Sequence, residues 1–172
     1  KGAIEVVTAP GQGSTFRIYL PPALPSAARG GEPGRPRTLD FLAGWKPAGM
    51  ALIVDDEDSV RNVTALMLEK IGFERIQVAT NGREGVDLFK EHADEISLIV
   101  MDITMPEMSG DEAFRQIHAI RSDVPVVFTS GFDEQEALRN VAGMGCSAFL
   151  HKPYRPAELA RAVHSVCVKT AE

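Results

Sequence analysis

Four short clusters in the chain hold residues that could do chemistry together: Asp55-Asp56-Glu57, Asp102, Thr129-Ser130 and Lys152-Pro153. Carboxylates brought close repel and raise one another's pKa unless a cation sits between them. An all-oxygen site with few protein ligands suits hydrated Mg²⁺ in octahedral geometry, with Asp56 and Asp102 as its carboxylate ligands. Once the metal and Lys152 neutralise the local negative charge, a phosphoryl group can approach. The Asp102 carboxylate could then act as nucleophile and form an aspartyl phosphate, with the Thr129 hydroxyl bonding a phosphoryl oxygen.

Each residue also has a plainer reading. Acids after strands are often solvated turn or cap residues, so Asp58 is expected to cap the first helix, and Asp55 or Glu57 alone would say little. Asp102 differs because it follows Leu98-Ile99-Val100-Met101, where burial is expected and an uncompensated charge is costly. Lys152 follows Phe149-Leu150-His151 and has an exposed loop position as its alternative. Thr129 alone is nearly uninformative. The specific signal is that all of them fall at the ends of predicted strands.

Those strands come from the periodicity. Residues 51–54, 76–79, 98–101, 124–128 and 148–150 are short apolar runs that read as strands, with Pro125 near the start of the fourth. Between and after them, Val60, Val63, Met67 and Ile71 recur at helical spacing, and Val86 and Phe89 mark a second helix. Ser109 and Glu112 form a capping box ahead of Phe114, Ile117 and Ile120, residues 135–141 are a weak helix, and Pro156 opens a helix carrying Leu159, Val163 and Val166. Five strands alternating with five helices predict an α/β fold, a doubly wound parallel sheet with helices on both faces. The active site then lies at the carboxyl ends of the strands.

Composition narrows the classes. At 172 residues the chain has room for one domain and an appendage, and its apolar runs are far too short to span a bilayer. Residues 1–10 lack the pattern of a signal peptide. Cys146 and Cys167 are too few and too far apart for a disulfide framework or zinc cluster, so a cytoplasmic setting is expected. Residues 1–47 carry a net charge of +3 and residues 48–172 a net charge of −9, a balance that argues against nucleic acid as a partner. The four histidines read as surface or helix-face residues.

Residues 21–49 are dense in Pro, Gly, Ala and Arg and read as a linker. Within it Phe41, Leu42 and Trp45 are either a short apolar anchor or part of a linker that happens to contain them. Ahead of it, Ile4, Val6, Phe16, Ile18 and Leu20 alternate around Pro10-Gly11-Gln12-Gly13, a hairpin signal. An isolated hairpin is marginal in water. Residues 1–20, or the Phe41 to Trp45 stretch, are therefore expected to pack on the main body or on a second copy of the chain, giving a homodimer, or else to be disordered.

The motifs Val54-Asp55-Asp56-Glu57, Leu98 through Asp102 with Ile103-Thr104-Met105-Pro106, Phe128-Thr129-Ser130-Gly131 and Ala148-Phe149-Leu150-His151-Lys152-Pro153 together resemble the response-regulator receiver domain of two-component signalling; the resemblance covers residues 50–169 and implies a receiver domain over residues 50–172. The resemblance implies a flavodoxin-like sheet of order 2-1-3-4-5 and a cis peptide between Lys152 and Pro153. It also implies Asp102 as phosphoacceptor, Asp55 and Asp56 as the acidic pair at a Mg²⁺ site, and Thr104 as donor of a backbone carbonyl to the metal. Thr129 would be the switch hydroxyl, Phe149 the switch aromatic and Lys152 the phosphate-pairing lysine. The implied phosphodonor is a histidine kinase or a histidine phosphotransfer protein.

Residues 1–20, with Gly11-Gln12-Gly13-Ser14-Thr15-Phe16, resemble the last hairpin of a histidine-kinase ATP-binding domain, and hairpin, linker and receiver in that order resemble the end of a hybrid sensor kinase. The kinase's own phosphoacceptor helix and ATP-binding motifs have no counterpart here. A haloacid-dehalogenase-type phosphatase needs a second acid where Thr104 stands, a flavin-binding relative needs a phosphate loop where Asp55-Asp56-Glu57 stands, and a docking module of the same fold would not need the acids.

Overall fold

Alternating Ile, Val and Phe in the first residues draw out two antiparallel strands, β1 (Ala3–Ala9) and β2 (Gly13–Tyr19). Gly11 and Gly13 close the turn at φ 74° and 79°, a conformation that costs a glycine little. Ile4, Val6, Phe16 and Ile18 share one face because Ile4 pairs with Ile18 and Val6 with Phe16. The opposite face joins Glu5 to Arg17 at 3.4 Å and to the Tyr19 hydroxyl at 3.1 Å. The computed structural model describes residues 3–19, 42, 44–131 and 147–169, and divides into two compact units, residues 1–36 and 37–172.

The second unit alternates strand and helix: β3 (Met50–Val54), α1 (Asp58–Ile71), β4 (Arg75–Ala79), α2 (Gly82–Glu91), β5 (Ile96–Asp102), α3 (Gly110–Ile120), β6 (Val126–Ser130), β7 (Ser147–His151) and α4 (Pro156–Lys169). The five strands are parallel in the order β4-β3-β5-β6-β7, which is the doubly wound order 2-1-3-4-5 expected. The helix expected over 135–141 lies outside the described residues.

Period-two alternation sends β5 side chains to two cores. Ile99 and Met101 pack with Val86, Phe89, Phe114 and Ile117 of α2 and α3, while Leu98 and Val100 pack with Leu68, Leu159, Val163 and Val166 of α1 and α4. Because β3, β5 and β6 are covered on both sides, they read as continuous apolar runs. The switch of strand order between β3 and β5 opens a crevice at their carboxyl ends.

Several expectations need correction. Glu57, with φ −88° and ψ 112°, is the N-cap residue of α1, and Asp58 is instead its first helical residue, paired with Arg61. Pro125 lies before the fourth sheet strand, which begins at Val126. Lacking an N–H, Pro125 contributes only its carbonyl, to Ile99 N–H at 2.9 Å. The strand consequently runs on through Thr129 and Ser130. Leu42 is buried and Trp45 packs on the α1–α4 core, with its ring edge-on to His164 at 5.2 Å. These two apolar residues therefore anchor this stretch to the second unit, whereas Phe41 lies outside the described residues.

Candidate functional site

The crevice collects its residues from strand ends. Asp102 is the last residue of β5 and Asp55 follows β3 directly. Asp55 and Asp102 are 2% and 5% exposed, whereas Asp56 is exposed. Ligand oxygens of Asp55, Asp56 and Asp102 all lie within 4.8 Å of one another.

Lys152 reaches into this group from the turn after β7. Its Nζ donates to Asp102 Oδ2 at 2.6 Å and pairs with Asp55 Oδ2 at 2.8 Å, with Glu57 Oε1 further off at 3.7 Å. Its backbone N–H donates to the Ser130 carbonyl at 2.7 Å, which ties the turn to β6. The exposed-loop alternative is set aside, because the Lys152 side chain is 14% exposed. The Lys152-Pro153 peptide is cis.

Thr129 lies beside Asp102 in the β5–β6 register and is 1% exposed. Thr104 is exposed two residues past Asp102, and its backbone amide bonds the Asp102 carboxylate. Phe149 is half-buried against the α2–α3 core. The exposed His151 ring lies edge-on to it, centroids 4.7 Å apart.

Burial pushes the Asp102 carboxyl up to about 6, since one ammonium shared between two acids offsets only part of the desolvation and Asp55 adds like-charge repulsion. Burial alone would lower Lys152, but its bonds to Asp102 and Asp55 outweigh this and raise it, so it stays charged. Among the described residues, the buried side-chain atoms without a hydrogen-bond partner are Asp102 Oδ1 and Thr129 Oγ1 in the crevice and Arg121 Nε away from it. Such orphans are costly unless a ligand completes them. Three carboxylates around a single ammonium leave an oxygen-rich negative pocket that fits a hard divalent cation.

Local packing holds Asp102 in place. Gly110, at the start of α3, sits so close that a Cβ there would overlap the Asp102 backbone carbonyl. Its N–H donates to the Ile103 carbonyl at 2.8 Å, and the Glu112 carboxylate accepts from Ser109 N–H at 3.2 Å, as the expected capping box requires.

Sequence reasoning missed two supports. Buried Arg61 donates to the Asp55 backbone carbonyl and grips the acid loop. Thr64 Oγ1 lies 2.7 Å from the Tyr154 hydroxyl. The available signal was that Arg61 and Thr64 line up with Leu68 and Ile71 on the inward face of α1.

Known proteins resemble this chain in sequence and in fold. The chain is 35% identical to the chemotaxis protein CheY of Thermotoga maritima over 115 residues, which covers 67% of this chain and 94% of CheY. It is 28% identical to the sensor kinase CckA of Brucella abortus over 161 residues, covering 92% of this chain but 17% of the kinase's length. Among solved structures, a CheX–CheY–BeF3–Mg²⁺ complex from Borrelia burgdorferi matches with a TM-score of 0.65 at 28% identity, covering 77% of this chain and 98% of that one. Residues 51–164 match the family model of the response regulator receiver domain. The chain belongs to the response regulator receiver domain family.

Proposed function

We propose that this chain is the phosphoacceptor of a two-component phosphorelay, taking a phosphoryl group from phosphohistidine onto Asp102 with Mg²⁺. The observation that carries this reading is the buried Asp102 carboxylate with Oδ2 on Lys152 and Oδ1 unpartnered. An Asp102 oxygen attacks phosphorus, the phosphorus–nitrogen bond to the donor's imidazole breaks, and the imidazole leaves with the electron pair. Asp55, Asp56, Asp102 and the Thr104 carbonyl would hold Mg²⁺, which when bound supplies charge neutralisation for the phosphoryl oxygens. Lys152 stays charged throughout and pairs with an oxygen of the transferred group.

The orphaned Thr129 hydroxyl gives the phosphoryl group a second partner, and its movement toward that group would free space for Phe149 to turn inward. The face beside β7 would then change its preference for partners. Likeness to the sensor kinase CckA over 92% of the chain supports an origin in a hybrid kinase, and a cytoplasmic site of action belongs to the same reading. No helix among the described residues is long and apolar enough to cross a membrane. Signal-transduction proteins, rather than nucleic acid, fit the net charge of −9 over residues 48–172.

Incubation with acetyl phosphate and Mg²⁺, followed by intact-mass spectrometry, tests the assignment. The wild type should gain one phosphoryl group and Asp102→Asn none, because an amide cannot form the acyl phosphate. Equal labelling of both proteins would place the chemistry elsewhere.

A further inference from the structure

The inward face of α1 is apolar at its carboxyl-terminal end, with Leu68 and Ile71, and polar near the crevice, with Arg61 and Thr64. Arg61 holds the loop of Asp55. Thr64 reaches the other side of the site, its hydroxyl 2.7 Å from that of Tyr154, two residues past Lys152. The Tyr154 ring packs against the α1–α4 core, and Thr64 is 1% exposed. A phenylalanine would fill the same apolar space, so packing does not call for the Tyr154 hydroxyl. A buried hydroxyl without a partner is costly, whereas here each hydroxyl completes the other.

The turn that carries Lys152 has few other ties. Lys152 N–H is bonded to Ser130, Pro153 has no N–H to offer, and Arg155 N–H is taken by the Glu158 side chain on α4. Lysine's flexible stem lets its ammonium follow small shifts of the backbone. Glu57 Oε1, exposed and 3.7 Å away, is a rival acceptor.

We propose that Thr64 and Tyr154 are a positioning pair, holding the turn after β7 against α1 so that the Lys152 ammonium stays between Asp55 and Asp102 rather than drifting toward Glu57. Neither hydroxyl touches the reacting atoms. The inference rests on the phosphoacceptor reading of Asp102, and the test keeps the two apart.

Tyr154→Phe, Thr64→Val and the double variant preserve side-chain volume, and Thr64→Ser keeps the hydroxyl. Two readouts are taken: the initial rate of phosphoryl incorporation from acetyl phosphate at saturating Mg²⁺, and the hydrogen-exchange rate of the Lys152 ammonium, followed by nitrogen-15 NMR without phosphodonor. Each single variant should slow incorporation roughly three- to tenfold and speed exchange, without changing Mg²⁺ affinity. The double should match the singles, since both remove one bond, and Thr64→Ser should restore wild-type values. Tyr154→Phe with wild-type incorporation and exchange, or a double whose loss is the product of the singles, overturns the pair. A wild type that takes no phosphoryl group defeats the phosphoacceptor reading alone, and the ammonium exchange then still decides the positioning role.

Discussion

At the carboxyl end of the sheet, Lys152 serves two buried acids at 2.6 and 2.8 Å while Asp102 Oδ1 and Thr129 Oγ1 are left without partners. At the amino end, Arg121 donates to the carbonyls of both Ala93 and Ile96, faces Asp123 at 3.5 Å and lies 5.4 Å from the Phe89 ring centroid. Ser97 closes on the Ala48 carbonyl there, and Met50 N–H donates to Glu95 at 2.9 Å. The carboxyl end thus leaves two buried oxygens bare, whereas the amino end leaves one buried nitrogen, Arg121 Nε, which faces a carboxylate, that of Asp123. Polarity that lowers stability is concentrated where a ligand can complete it, a pattern expected of a site selected for function over stability.

The sharpest way to break this contrast is at the amino end. Arg121→Met strips two carbonyls of their donor and should lower the unfolding free energy by about 2–4 kcal/mol, with Mg²⁺ affinity unchanged. Urea melts beside Mg²⁺ titrations check both halves, and a coupled loss of affinity would mean that the ends are not independent.

At the carboxyl end, Asp56→Asn should weaken Mg²⁺ at least tenfold, about 1.4 kcal/mol, yet leave metal-free stability nearly intact, because Asp56 is exposed. Calorimetric titration with Mg²⁺ reads the loss.

Asp102 sharpens the contrast further through pH. Its carboxyl is raised in the fold to about 6, so its contribution to stability is full below the unfolded-state value and is lost as pH rises through about 6. Without Mg²⁺, Asp102→Asn should therefore be more stable than the wild type at pH 7, by about 1–2 kcal/mol. That advantage should shrink as pH falls toward 4. Denaturant melts across this range would contradict the assignment if the advantage grew on acidification.

The smallest effect is expected at the anchor. Trp45→Ala removes the ring contact with His164 and part of the α1–α4 core cover, for about 0.5–1.5 kcal/mol in thermal melts.

Much of this was legible in the sequence. Continuous runs such as Leu98 to Met101 announce strands buried on both faces, and acids or lysine just after such runs mark the crevice, because a charge there needs partners. Strand limits were harder: nothing local shows that β6 extends through Thr129, since its start is set by where Pro125 can pair with β5. Asp58 looked like a cap because its type suits one, yet the chain turns a residue earlier at Glu57. Composition disguised Leu42 and Trp45 among prolines and glycines, and only tertiary packing shows that they anchor. The Thr64–Tyr154 bond joins residues far apart in the chain, and no periodicity encodes a single hydroxyl pair.

The close approach of Gly110 to Asp102 has a consequence for mutational tolerance. Positions of α3 such as exposed Gln116 should accept many residues, whereas every side chain at 110, even alanine's single methyl, must displace the backbone of Asp102. In a saturation library selected for signalling, codon 110 should therefore collapse to glycine as completely as codon 102 does to aspartate. A residue with no chemistry of its own would then be as indispensable as the proposed phosphoacceptor.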